Sequence, residues 1–270
     1  MLRRLYRLPL LLALLLGGLA TVFLVFPLAG DGGRERLIAR WSRWLMAACG
    51  TRVEEIVAPG AQPLSAMRGR HGAGEGRMLL ANHVSWLDIF AIDSLAPASF
   101  VAKAEIARWP LAGTLVARAG TVFLERGRRH AVHGVIQQMT QRLQQGHRAA
   151  VFPEGTTSDG QRLLPFHGNL VQAAINASAP LVPVAVRYLD PDGEPGHAVM
   201  YVGDTTFMQS LWQITGHPGL IAQIHVLAPI EAGPGVTRQE VARRARLAIS
   251  ARLGLALEDS APGTPSGLRA

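Results

Sequence analysis

Cysteine and charge are both scarce in this sequence. Cys49 is the one cysteine in 270 residues, which excludes an internal disulfide framework and a cysteine-based zinc cluster, so the protein needs no oxidising compartment. Charged residues make up 17% of the chain and hydrophobic residues 49%, against roughly 25% charged residues in an ordinary soluble protein. This balance excludes a disordered chain, and no internal repeat indicates a solenoid.

Well-known catalytic motifs are missing as well. The sequence contains no G-x-S-x-G nucleophile elbow, no P-loop and no H-E-x-x-H, so serine-hydrolase and nucleotide-hydrolase mechanisms lack their main support. His130 and His133 lie three residues apart, but no carboxylate or cysteine accompanies them nearby. We interpret them as part of a solvated basic face and predict no metal site.

Positive charge is carried almost entirely by arginine. Lys and Arg total 27 against 19 Asp and Glu, a net charge of +8, and Lys103 is the single lysine. Guanidinium groups bind phosphate and carboxylate in a bidentate way, although the arginine codons of a GC-rich genome explain the same bias. The charge balance fits nucleic acid, an anionic membrane or a phosphorylated substrate. The N-terminal segment favours the membrane, and we expect no nucleic-acid partner.

The N-terminal segment is long, apolar and uncharged. Residues 8–29 contain no charged side chain, and as a helix they reach roughly 30 Å, the thickness of a bilayer core. A cleaved signal peptide is the alternative, but the run exceeds the usual apolar region of about 7–15 residues, and no A-x-A-like site follows it. We predict a membrane anchor that spans the bilayer or dips into one leaflet. Arginines on both sides leave its orientation open.

An amphipathic helix is predicted after a glycine-rich break at residues 30–33. Its apolar side chains share one helical face and its arginines lie largely elsewhere: Leu37, Trp41, Trp44, Leu45 and Ala48 against Arg36, Arg40 and Arg43. Tryptophan and arginine beside an apolar anchor are typical of an interfacial helix on lipid headgroups. A helix packed on the globular domain is the alternative. We assign residues 1–50 to the membrane anchor and this interfacial helix.

Beyond residue 50, short β-rich runs alternate with helical patterns. Strands are predicted at 53–57, 78–81, 100–102, 121–124, 149–152, 181–187, 199–202 and 221–227. Helices are predicted around 89–95, 133–145, 169–177 and 238–253, the last opening with a capping box at Thr237 and Glu240. The alternation predicts an α/β fold, a mixed sheet flanked by helices, over residues 51–257. Residues 258–270 are predicted to form a flexible tail.

Reactive or charged side chains follow three of these strands. His83 comes directly after a strand, and Asp88 can fold back onto its ring if His83 lies in the turn before a helix. Such a pair is a general base with its orienting partner, although a structural hydrogen bond is the simpler interpretation of the two residues alone. Glu125 and Arg126 end a second strand, and Glu154 follows a third. Ligands of open α/β sheets bind at the carboxyl ends of strands, so these side chains are predicted to share one crevice.

Four sequence blocks together resemble the glycerolipid acyltransferases, the family of bacterial 1-acylglycerol-3-phosphate acyltransferases. NHVSWLD (82–88) resembles the family's NHxSxxD block, GTVFLERG (120–127) its arginine block, FPEGTTS (152–158) its FPEGTRS block, and LVPVAV (181–186) its proline block. FVAKAE (100–105) is also similar to the family. The resemblance covers approximately residues 53–227 with the blocks in the expected order, and a histidine block followed by FPEG at this distance is a specific signal.

The resemblance implies direct acyl transfer from an acyl-CoA or acyl-carrier-protein thioester to a lysolipid hydroxyl, without a cofactor. His83 would take the hydroxyl proton while Asp88 holds its ring. The residues implied to bind substrate are Arg126, at the acceptor phosphate, with Glu154, Gly155, Thr156 and Lys103. The residues implied to support the site are Asn82, Ser85, Pro153, Thr157 and Pro183. A salt bridge from Arg126 to Glu125 or Glu154 is the alternative for that arginine.

The expected product is phosphatidic acid for phospholipid biosynthesis. The implied partners are membrane lipids, a lysophospholipid acceptor, and acyl-CoA or acyl-carrier protein. We expect the enzyme at the bacterial inner (cytoplasmic) membrane, with its catalytic domain facing the cytoplasm.

One position departs from the family pattern. Thr157 stands where FPEGT commonly continues with arginine, which removes a guanidinium from the expected phosphate site. FPEGTTSDG also resembles the variant of the lyso-ornithine lipid acyltransferases, whose acceptor carries no glycerol phosphate, so lyso-ornithine lipid or another lysophospholipid is the alternative acceptor. Two further alternatives are a lipid hydrolase in which His83 and Asp88 activate water, and a membrane-tethered binding module. The missing nucleophile elbow disfavours the first, and the intact motif blocks disfavour the second.

Overall fold

The computed structural model describes residues 2–68, 72, 74–125, 129–231 and 235–258. The α-helices are α1 (Leu2–Ala20), α2 (Asp31–Ala48), α3 (Leu87–Leu95), α4 (Ala112–Arg118), α5 (Arg129–Gln144), α6 (Gln172–Ala177), α7 (Phe207–Gly216) and α8 (Arg238–Leu253). The strands are β1 (Thr51–Val57), β2 (Arg77–Ala81), β3 (Ser99–Lys103), β4 (Val122–Leu124), β5 (Arg148–Val151), β6 (Arg162–Leu163), β7 (Leu181–Leu189), β8 (Leu220–Val226) and β9 (Ala256–Leu257). The predicted tail from residue 259 onward lies outside the described residues.

Seven strands form one mixed sheet in the order β1-β8-β7-β2-β5-β3-β4. Neighbouring strands are parallel except β7 and β8, which run antiparallel. β6 and β9 form a separate two-stranded sheet. The segments that follow the parallel strands β2, β3 and β5 therefore emerge at the same edge, which is where open α/β sheets bind ligands.

Helices cover both faces of the sheet, so its central strands are buried on both sides. Alternate residues of β2 divide two hydrophobic cores. Leu79 and Ala81 belong to the core that includes side chains of α2, α3 and α7, and Met78 and Leu80 to the core that includes those of α5, α6 and α8. The predicted α/β fold, a mixed sheet flanked by helices, is confirmed.

The two N-terminal helices lie on the first of these cores. α1 continues through a π turn and a 3-10 turn, so that Leu2–Leu28 is the one helix of the described chain that is long and apolar enough to cross a membrane. Only 11% of its most apolar window is buried, and the mean hydropathy is 2.5. α2 buries Leu45 and Met46 in the domain core and leaves Trp44 exposed. α2 is therefore packed on the domain, as the alternative interpretation held, and its contact with headgroups stays a prediction.

The predicted strand at residues 199–202 is wrong. The chain forms a 3-10 turn there, His197–Val199, and the Tyr201 N–H donates to the Val84 carbonyl at 3.3 Å instead of joining a sheet. Val199 of this segment is fully buried in the first core, which also includes Val84 of the turn that carries His83. Alternation of hydrophobic residues alone does not distinguish such a loop from a strand.

α4 and α7 were absent from the sequence prediction. α4 has only seven residues, too few for a periodic pattern. α7 begins with a complete capping box formed by Thr206 and Gln209, a sequence signal that could have located it. The box predicted at Thr237 forms only in part: its hydroxyl accepts from the Glu240 N–H at 3.2 Å, but the Glu240 carboxylate binds neighbouring arginines.

Candidate active site

His83 and Asp88 meet at the carboxyl end of β2. His83 Nδ1 lies 2.8 Å from Asp88 Oδ2. The same oxygen accepts the backbone N–H groups of Val84 and Ser85 at 2.7 and 2.9 Å. These bonds fold the carboxylate back from the first turn of α3, as the sequence predicted. Asp88 is fully buried, so its position is set by the turn and not by solvent.

The second oxygen of Asp88 is held from β7. The Tyr188 hydroxyl donates to Asp88 Oδ1 at 2.8 Å, and both side chains are buried. Burial, and then the adjacent Asp88 carboxylate, raise the pKa of Tyr188 well above its ordinary value, so the phenol stays a donor. Sequence reasoning missed Tyr188, because 100 residues separate it from Asp88 and no local motif marks it.

The carboxylate on Nδ1 determines which nitrogen of His83 is available. Because Asp88 accepts, Nδ1 carries the hydrogen and Nε2 keeps its lone pair. The side chain is 18% exposed. Its ring stacks on Phe152 with 3.9 Å between the centroids and 10° between the planes. A nitrogen held in this way can take a proton from a bound hydroxyl.

Asn82 connects the turn to the neighbouring strand β7. Its Nδ2 donates to the Val186 carbonyl at 2.9 Å, and its Oδ1 accepts the Val186 N–H at 2.7 Å. This pairing sets the position of β7 two residues before Tyr188, and Asn82 thus shapes the turn as expected. Ser85 contributes its backbone N–H, while its buried hydroxyl has no hydrogen-bond partner in the described part of the chain.

Glu154 ties the loop after β5 to the turn of His83. Its Oε1 accepts the His83 N–H at 2.7 Å, and its Oε2 accepts the Leu164 N–H at 3.1 Å. Burial is the main reason that the pKa of Glu154 rises to about 7, and the Asp88 charge raises it further. Glu154 is 4% exposed, and both of its carboxylate oxygens accept hydrogen bonds from the backbone. The geometry makes it a positioning residue, and the substrate contact implied by the resemblance stays a prediction.

The rest of the FPEGTTS loop (residues 152–158) closes over the same turn. Gly155 and Thr156 are exposed at its tip, and Gly155 takes a φ of +70° that favours glycine. The Thr157 hydroxyl donates to the Tyr201 carbonyl. Pro153 is buried, and its carbonyl accepts the His167 N–H at 2.8 Å.

The remaining predicted residues occupy different parts of this edge. Lys103 ends β3 and is exposed, and Pro183 is buried in β7 opposite Leu80. Arg126 lies outside the described residues, so its contact with a phosphate stays a prediction. Among the residues that the structure does describe, no three His, Cys, Asp or Glu side chains come together as metal ligands.

A partly exposed histidine oriented by a buried carboxylate at the open edge of an α/β sheet defines a site that can activate a substrate hydroxyl. The acyltransferase family model matches residues 62–187, which include both loops of the site. The chain is 37% identical over 217 residues to the lyso-ornithine lipid O-acyltransferase of Pseudomonas aeruginosa, a match that covers 80% of this chain and 78% of that protein. The chain therefore belongs to the acyltransferase family and is an acyltransferase of the lysophospholipid type.

Two other matches agree with this assignment. The chain is 38% identical over 163 residues to the 1-acyl-sn-glycerol-3-phosphate acyltransferase of Neisseria meningitidis, over 60% of this chain and 64% of that protein. The crystal structure of the 1-acyl-sn-glycerophosphate (LPA) acyltransferase PlsC from Thermotoga maritima superimposes with a TM-score of 0.65 at 20% identity. That match covers 93% of this chain and 96% of the other, so the two proteins share their fold.

Proposed function

We propose that the protein transfers a fatty acyl group from an acyl-CoA or acyl-carrier-protein thioester to the free hydroxyl of 1-acylglycerol-3-phosphate, giving phosphatidic acid. The observation that carries this proposal is the His83–Asp88 pair. Nδ1 is committed to a buried carboxylate at 2.8 Å, and Nε2 belongs to a ring that solvent reaches.

The chemistry needs a base rather than a protein nucleophile, because a thioester carbonyl is already activated. His83 Nε2 takes the proton of the acceptor hydroxyl as that oxygen bonds to the carbonyl carbon. The tetrahedral intermediate then collapses, the C–S bond breaks, and the leaving thiolate receives the proton from the imidazolium. Asp88 stabilises the imidazolium between the two proton transfers. A base in this position contributes roughly 10²–10⁴-fold to the rate.

Lyso-ornithine lipid is the second candidate acceptor. Position 157 carries a threonine whose hydroxyl is bound to the Tyr201 carbonyl, so this position offers no positive charge to a phosphate. The relative from Pseudomonas aeruginosa is named for lyso-ornithine lipid. Its match covers more of the chain than the match to the relative from Neisseria meningitidis. Both acceptors require the same base and the same thioester donor.

We also propose that the enzyme is bound to the bacterial inner membrane through α1, with the domain on the cytoplasmic side, where its thioester donors occur. One face of α1 binds the domain: the Arg7 guanidinium donates to the His217 carbonyl at 2.7 Å, and Trp41 Nε1 donates to the Leu14 carbonyl at 2.8 Å. These contacts support a retained helix over a cleaved signal peptide. They also support a position within one leaflet, because a helix attached along its length cannot cross a bilayer without the domain.

The acceptor is identified by an assay of the purified enzyme with one labelled acyl-CoA. Lysophosphatidate, another lysophospholipid and lyso-ornithine lipid are offered in parallel, and a reaction without acceptor measures thioester hydrolysis. We expect acylation of lysophosphatidate, and preference for lyso-ornithine lipid would establish the second candidate. His83→Ala should lower turnover by roughly 100-fold or more, whereas His133→Ala, an exposed histidine of α5, should not. An active His83→Ala enzyme, or hydrolysis in place of transfer, would refute the proposal.

A further inference from the structure

Four large apolar side chains are exposed on α7 and on the turn that leads into α4. We call them the apolar rim: Trp109, Leu111, Met208 and Trp212, which are 39%, 49%, 67% and 54% exposed. Trp109 and Leu111 lie directly before α4, and Met208 and Trp212 lie one turn apart on α7. Soluble proteins expose single hydrophobic residues routinely, but a contiguous apolar patch marks a site of interaction.

Leu111 is held in a strained backbone conformation. Its φ is +59° and its ψ is −54°, and the Ala112 N–H reaches back to the Pro110 carbonyl at 2.5 Å. These are the features of a γ-turn with a positive central φ, which is rare and strained for residues other than glycine. The strained residue is a half-exposed leucine, whose side chain therefore recovers little of that cost by packing inside the fold.

Phe207 connects the apolar rim to the turn that carries His83. The Trp109 ring lies 5.4 Å from that of Phe207, and Phe207 lies 5.1 Å from Trp86, which belongs to the same turn as His83. A surface that engages the rim is thus two aromatic contacts away from the turn that carries His83.

The rim is also continuous with the apolar N-terminal helix. The Arg4 guanidinium of α1 lies 4.2 Å from the centre of the Trp212 ring. Beyond it, α1 exposes leucines along its outer face, among them Leu5, Leu12 and Leu16. Arg118, at the end of α4, lies 5.1 Å from the Phe23 ring in the same way. Tryptophan beside arginine at the border of an apolar surface is typical of the membrane–water boundary.

We propose that the apolar rim is a second membrane-contact site, which inserts into the same leaflet as α1 and places the mouth of the active site at the lipid surface. The proposal rests on the proposed function, because the acceptor is a lipid of that leaflet. A bilayer is the occupant that the structure favours, since the rim continues a helix with the length and hydropathy of a membrane segment. The net charge of +8 suits an anionic lipid surface.

A fluorophore at position 111 tests the insertion directly. Leu111→Cys is labelled with an environment-sensitive dye in the full chain, and Leu247→Cys is the matched control, because Leu247 is 41% exposed on α8 over the opposite face of the sheet. Cys49 is buried, and burial raises its pKa to about 12, so the dye reacts at the introduced cysteine. Both proteins are bound to vesicles of phosphatidylethanolamine and phosphatidylglycerol with brominated acyl chains.

The expected result is a blue shift and loss of most of the fluorescence at position 111, with neither change at position 247. A dye at 111 that reports water in vesicle-bound enzyme overturns the proposal. A dye that is already shielded without vesicles and is not quenched by bromine shows that a protein surface covers the rim, and also overturns it. Acyl transfer is measured in detergent with the unlabelled wild-type enzyme. If transfer occurs and the dye is not quenched, the inference fails alone; if no transfer occurs, the proposed function fails.

Leu111→Gly separates the membrane role from a structural one. Glycine adopts a positive φ without strain but gives the unfolded chain more freedom, so the thermal midpoint should stay within about a few degrees of the wild type. The ratio of vesicle to detergent activity should fall about fivefold, because an inserted apolar side chain is lost. If the midpoint falls by about ten degrees or more, or the ratio is unchanged, the leucine serves the fold and not the membrane.

Discussion

Replacing Tyr188 with phenylalanine removes a single hydroxyl from behind the catalytic pair. That hydroxyl donates to Asp88 Oδ1 at 2.8 Å, and Asp88 is fully buried. In Tyr188→Phe the carboxylate oxygen loses its donor at a place that water does not reach. The site can relieve this by moving the carboxylate, which displaces the His83 ring bound to its other oxygen.

The magnitude follows from the hydrogen bond to a charged group, which contributes about 1.5–3 kcal/mol. We expect the free energy of unfolding to fall by that amount, which lowers the thermal midpoint by roughly 2–4 °C per kcal/mol in a domain of this size. If the whole loss appeared in the transition state, kcat/KM would fall by roughly 10- to 150-fold. We expect about tenfold, mainly in kcat, because Tyr188 does not touch the substrate and only part of the loss reaches the barrier.

The assay compares acyl transfer and thermal unfolding of the wild type, Tyr188→Phe and Tyr6→Phe. Tyr6 is a suitable control because its side chain lies exposed on α1, away from the site. Its variant should behave as the wild type in both measurements. If Tyr188→Phe were equally silent, the phenol would not hold Asp88, and the assignment of Tyr188 as a positioning residue would be wrong.

Three other substitutions test the electrostatics of the buried groups. Glu154→Gln should lower the free energy of unfolding by about 1–3 kcal/mol, because a carboxamide has one oxygen for two backbone donors; an unchanged denaturation midpoint would contradict this. Arg148→Met removes a buried guanidinium paired with Glu35, and chemical denaturation should report a loss of about 3–5 kcal/mol. Burial, and then the Arg252 guanidinium, lower the pKa of His225 to about 4 from 6.5. The unfolded state then binds a proton that the folded state excludes, so the contribution of His225 to stability should fall as pH drops from 6.5 towards 4. The thermal midpoint of His225→Gln relative to that of the wild type should therefore rise as pH drops over this range.

The central strands and the C-terminal helix α8 were predictable, because the sequence patterns that indicate them lie within short stretches of the chain. Buried parallel strands appear as short apolar runs between turns, and α8 occupies residues 238–253 as predicted. His83 and Asp88 belong to the same short turn, so a chain-local pattern contained the histidine and the carboxylate that pairs with it. The apolar N-terminal helix was predictable for the same reason, since hydropathy is summed over neighbouring residues.

Contacts between distant segments were decided only by the order of the strands. β7 lies beside β2 through the Asn82–Val186 pairing, and that neighbour places Tyr188 on Asp88. β5 lies on the other side of β2, which turns Glu154 inward onto the His83 N–H rather than outward to a ligand.

The amino-acid sequence by itself therefore determined the acyltransferase class, the pairing of His83 with Asp88 and the apolar N-terminal helix, because each depends on residues close together in the chain. Tertiary structure alone decided which side chains hold that pair in place, that α2 is part of the core, and that a leucine in a strained turn lies exposed at the start of α4. Those features depend on strand order and helix packing, which bring together residues that no spacing in the sequence relates.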